Sequence, residues 1–82
     1  MTDIEALVAF ISERLDDRAA QGGAALVHME RRILGACVAA LNTSWMLGEE
    51  ARAALAVLAM GVMRRLAEPY KAHPDYDEAW AL

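Results

Sequence analysis

Between Arg52 and Arg64 the chain carries no polar side chain: Ala53-Ala54-Leu55-Ala56-Val57-Leu58-Ala59-Met60-Gly61-Val62-Met63. Alanine, leucine and methionine lose little rotamer freedom in a helix, so the run is predicted to be helical. It is too short to span a bilayer, and a helix apolar around its whole circumference has to be covered by protein. The stretch Ile33-Leu34-Gly35-Ala36-Cys37-Val38-Ala39-Ala40-Leu41 has the same character. Two such helices in 82 residues exceed what one copy of so short a chain can cover. Self-association is the simplest resolution: a helical homodimer with Val38, Val57, Leu58, Met60 and Gly61 at the contact. Small residues on both helices, among them Gly35, Ala36, Ala39 and Ala40, permit close approach. The competing reading leaves the alanines in water, since scattered apolar surface is normal.

The rest of the chain is read around these two helices as one all-α domain, residues 1–82. Ile4, Leu7, Val8, Ile11 and Leu15 recur at helical spacing, and Phe10 widens their stripe. Thr2 and Glu5 fit a capping box, and Asp3 and Glu5 suit the positive end of the helix dipole. The first helix is placed at about 3–20 and ended by Gly22-Gly23. The second covers about 24–41, followed by a turn at Asn42-Thr43-Ser44. Ser44 or Gly48 can precede the third helix. The later start is favoured, giving about 49–68, with Trp45, Met46 and Leu47 packed as an apolar connector. Pro69 stops this helix, whose acidic start (Glu49, Glu50) and basic end (Arg64, Arg65) complement its dipole.

Residues 69–82 hold two prolines, two tyrosines and a tryptophan. Disordered tails are poor in large aromatics, so this segment is expected to fold back and dock through Tyr70, Tyr76 and Trp80. A short final turn is expected near Pro74.

Chemistry is sparse. His73, Asp75, Asp77 and Glu78 are metal-binding residue types. Acids around prolines are nevertheless commonplace in turns, and Asp75 is read as a cap for the final turn. Cys37 and His28 stand about 13 Å apart along one predicted helix and cannot form a nucleophile–base pair within the chain. A single cysteine excludes an internal disulfide and a cysteine-rich zinc site. The basic pairs Arg31-Arg32 and Arg64-Arg65 fall toward one end of an antiparallel helical hairpin. They are either a contact for an acidic partner or solvated helix ends. The methionines, including Met29, Met46, Met60 and Met63, are either adaptable contact surface or core filler. A net charge of −4 and an acidic N-terminal stretch argue against a general nucleic-acid binder and a secretory signal.

Three segments resemble a family of small actinobacterial and actinophage proteins of unknown function. Leu7-Val8-Ala9-Phe10-Ile11-Ser12-Glu13-Arg14-Leu15-Asp16-Asp17 looks like its opening LVAFLRARLDED run, and Glu30-Arg31-Arg32-Ile33-Leu34 is similar to its EAKRRIL segment. Leu66 to Trp80, with Tyr70, His73, Pro74, Tyr76 and Trp80, looks like its closing LALPYADHPDYREEW motif. Members are typically longer, with an insertion where Gly22-Gly23 stands here and cysteines that this chain lacks apart from Cys37. The resemblance implies a bacterial or phage-infected cytoplasm and no particular chemistry. The expectation is a non-catalytic protein–protein interaction protein without cofactor, metal or membrane contact. The alternative is a nucleic-acid-associated regulator using the paired arginines, and a third reading is a small metal-dependent enzyme.

Overall fold

The computed structural model describes residues 3–82, which places the Thr2–Glu5 capping box outside the described residues. All regular structure there is helical, with no strand. The long helices are α1 (Asp3–Arg18), α2 (Ala24–Thr43) and α3 (Glu49–Ala67). Three separate helices were expected, and the backbone corrects this. Helical hydrogen bonding leads from α1 into α2 through a π-type turn over Ala19–Gly23 with no loop between them, and Gly22 inside that turn has non-helical backbone angles, a kink between the two. The chain folds back on itself at Gly22, whose φ of 94° lies where only glycine sits without strain. Gly23 is needed for room, because a Cβ there would lie 2.9 Å from the Arg18 carbonyl oxygen.

The connector after α2 is a 3₁₀ turn over Ser44–Met46, and Gly48 precedes α3 with its carbonyl accepting from the Arg52 N–H at 2.9 Å. Trp45 and Met46 were expected to pack. They are instead 72% and 70% exposed. A three-residue turn beyond the end of the bundle has no core within reach, so these side chains project from it. α3 ends at Ala67, and Pro69 sits in the following 3₁₀ turn, Glu68–Tyr70.

α1 supplies the central apolar stripe. Leu7, Phe10, Ile11 and Leu15 are buried against Val27, Leu34 and Cys37 of α2 and Ala59, Met63 and Ala67 of α3. Met63 is wholly enclosed, consistent with core filling by a flexible thioether. The all-apolar character of α3 has a different outcome from complete burial. Val57 and Leu58 are 73% and 67% exposed, and Leu26 and Met29 of α2 are exposed as well.

Candidate functional site

The residues after α3 close on Phe10. Its ring centroid lies 5.1 Å from that of Trp80, 5.7 Å from His73, 5.8 Å from Tyr76 and 6.5 Å from Tyr70. The tyrosine and histidine contacts are edge-on, the arrangement that the ring quadrupole favours. A succession of tight turns sets these rings. The His73 N–H donates to the Tyr70 carbonyl at 2.9 Å and the Tyr76 N–H to the His73 carbonyl at 3.0 Å. The last turn, Glu78–Trp80, starts later than Pro74. It is capped by Asp77, whose carboxylate accepts from the Ala79 N–H at 2.9 Å. Asp77 therefore takes the role expected of Asp75, because its extended backbone aims the carboxylate at the free N–H groups of the turn.

Two arginines of α1 latch this segment, and the sequence reading overlooked both. Phe10, Arg14 and Arg18 recur every four residues and so share one face of α1. That spacing was the available signal. The Arg14 guanidinium stands 5.4 Å from the Phe10 centroid, lies against the ring nitrogens of His73 and pairs with Asp17 at 3.2 Å. Arg18 donates to the Tyr70 hydroxyl at 2.8 Å and lies 3.5 Å from Glu30. Tyr70, through its hydrogen bond and then its charge, pushes the Arg18 pKa further up, with a smaller contribution from Glu30.

This arrangement is a fastening. The Asp75 N–H donates to His73 Nδ1 at 3.1 Å, while the Asp75 carboxylate stands 4.0 Å away. Among the described residues no three His, Cys, Asp or Glu side chains are placed to hold a metal ion. Cys37 is buried, and desolvation pushes its thiol above the ordinary range, which disfavours the nucleophilic thiolate. His28 is exposed.

The two tyrosines give a contrast that can be measured. The Tyr76 hydroxyl is buried with no hydrogen-bond partner, whereas the Tyr70 hydroxyl accepts from Arg18. Tyr76→Phe is expected to leave stability within about 1 kcal/mol or to raise it, because it removes an unsatisfied polar group. Tyr70→Phe is expected to lower the melting temperature. Thermal unfolding of both variants, followed by circular dichroism, decides this, and the reverse order would contradict the assignment.

The basic pairs do not converge on one groove. Arg31 pairs with Asp16 at 2.5 Å and lines the α1–α2 groove with Val8, Ser12 and Leu15. Arg64 is half-buried and borders Ala56, Val57, Met60 and Gly61 on another side of α3. Arg32 and Arg65 are exposed, with no partner among the described residues. The residues expected at a self-association contact are likewise divided. Val38 borders the α1–α2 grooves, Val57, Met60 and Gly61 border the Arg64 side, and Leu58 lies in the groove between α2 and α3. That last groove is apolar throughout and adjoins exposed Leu58 and Val62. No helix among the described residues is long and apolar enough to cross a membrane.

Fold and surface thus define a small all-helical domain, fastened by an aromatic clasp and with large apolar side chains exposed on α2, α3 and their connector. The chain belongs to a family of unknown function, DUF6221, which matches residues 23–82. The match takes in α2, α3 and the aromatic segment. No curated protein and no solved structure matches the chain.

Proposed function

We propose that this protein acts by contact with other proteins and carries out no catalysis. The observation that supports this is the set of large apolar side chains exposed on α2, α3 and their connector, from Leu26 and Met29 through Trp45 and Met46 to Val57 and Leu58. Monomeric proteins rarely expose large contiguous apolar patches, and such patches on a folded chain mark interaction surfaces. In this reading the chain forms a homodimer and contacts a further, acidic protein through Arg32 and Arg65, the exposed members of the two basic pairs that have no partner among the described residues. Its setting is the cytoplasm of an actinobacterial or phage-infected cell, which rests on the likeness of Leu66 to Trp80 to the closing family motif. The nucleic-acid reading has less to support it, because the chain carries a net charge of −4.

Affinity capture from a native extract tests the function. The wild-type chain is expected to retain a protein that is released as salt rises, because exposed charges are screened over about 8 Å at physiological ionic strength. Replacing Arg31, Arg32, Arg64 and Arg65 by Ser is expected to abolish that capture while leaving helicity intact. Retention of nucleic acid instead, lost on nuclease treatment, would overturn the reading in favour of a nucleic-acid-associated role.

A further inference from the structure

We propose that the outer face of α2 and α3 is an interface with a second copy of this chain. The two hairpins would lie antiparallel, with connectors at opposite ends, and close into a four-helix bundle. This rests on the contact reading above and specifies the surface, the occupant and its orientation.

The spacing of apolar residues is the first argument. On α2, Leu26, Met29, Ile33, Ala36 and Ala40 follow one another at intervals of three, four, three and four residues. On α3, Leu55, Leu58 and Val62 follow at three and four. Alternation of three and four is the heptad pattern by which helices pack side by side in bundles. Ala36 and Ala40 of the first stripe and Leu55, Leu58 and Val62 of the second border one groove, lined by α2 and α3 residues alone, and Leu26 and Met29 continue the first stripe beyond it as exposed side chains. The hairpin supplies two of the four helices such a bundle needs.

Area is the second argument. The chain exposes 5567 Å². A compact monomer of its mass, 8.9 kDa, exposes roughly 4,800 Å². The excess is close to the ~800 Å² that each partner contributes to a standard-size interface.

Charge fixes the orientation. The end of the hairpin away from the connector carries exposed Arg65 in the last turn of α3, unpartnered among the described residues. The connector end carries exposed Glu49 and Glu50, also unpartnered among the described residues, with Arg52 partly offsetting them. Parallel hairpins would set arginine against arginine and glutamate against glutamate. Antiparallel hairpins set each acidic end beside the partner's basic end, and complementary charge selects register in this way. The same orientation lays Trp45 and Met46 of one copy beside the partner's exposed Leu26 and Met29.

The test uses the purified chain alone. Sedimentation equilibrium of the wild type is expected to show a dimer at or below about 100 μM, within the range of micromolar interfaces. Glu50→Lys and Arg65→Glu should each weaken dimerisation by roughly ten-fold, because each sets like charges together twice across the two-fold axis. An equimolar mixture of the two variants should recover wild-type affinity as a heterodimer, since both contacts then pair opposite charges. Glu49→Lys with Arg65→Glu forms a second pair if Glu50→Lys loses helicity. A mixture no tighter than its components overturns the antiparallel arrangement. A wild-type chain that stays monomeric overturns the second-copy assignment and leaves the face to a partner of different sequence, while capture from extract separately decides whether the protein works by contact.

Discussion

Replacing Trp80 with alanine is expected to cost about 3–5 kcal/mol, the range for deleting a large aromatic from a core. Trp80 is 5% exposed, meets Phe10 in a tilted contact at 5.1 Å and Tyr76 edge-on at 5.5 Å. For a domain of this size the loss corresponds to a fall in melting temperature on the order of 20 °C. Much of the total stability of a small domain would go with one side chain. Truncation after Glu68 should be worse, since it also removes Tyr70, His73 and Tyr76 and leaves Arg14 and Arg18 without their latch partners. Thermal unfolding by circular dichroism measures both changes. A truncated chain that melts with the wild type would show that the segment adds nothing to the core.

A second large effect separates two neighbours on α3. Val57 and Leu58 are almost equally exposed, at 73% and 67%, yet point about 100° apart around the helix. Leu58 borders the α2–α3 groove, whereas Val57 faces the Arg64 side. If the proposed bundle forms, Leu58→Glu places a charge in an apolar contact and should reduce dimerisation by more than about 100-fold. Val57→Glu should leave it nearly unchanged. Sedimentation at matched concentrations distinguishes them. Equal loss from both, with helicity retained, would mean that the contact surrounds α3 instead of following one stripe.

What was legible beforehand follows from which forces are local. The period of Leu7, Ile11 and Leu15 marks the buried face of α1, because a helix brings every third or fourth residue to one side. Pro69 and Gly48 mark the limits of α3 through their own backbone restrictions. The density of aromatics after residue 69 signals docking, since those rings leave water only by meeting the body. Three things were not legible. Gly22-Gly23 reads as a stop, and Gly22 does break the helical geometry, but that no loop follows it before α2 is invisible in residue type. Trp45 and Met46 read as buried from hydropathy, but whether they meet a surface depends on how far the connector protrudes. Arg14 and Arg18 read as solvated charges because their partners lie more than fifty positions away.

The turn at Gly22 also changes how α1 relates to the remainder. The family match begins at Gly23, directly after the backbone reverses. Relative to residues 23–82, α1 behaves as a tethered ligand. It is an amphipathic helix whose Leu7, Phe10, Ile11 and Leu15 occupy a receptor formed by α2, α3 and the aromatic segment. The two-glycine tether makes docking unimolecular, and short linkers of this kind supply effective concentrations in the millimolar range. α1 can therefore remain seated even where its own affinity as a free peptide would be weak.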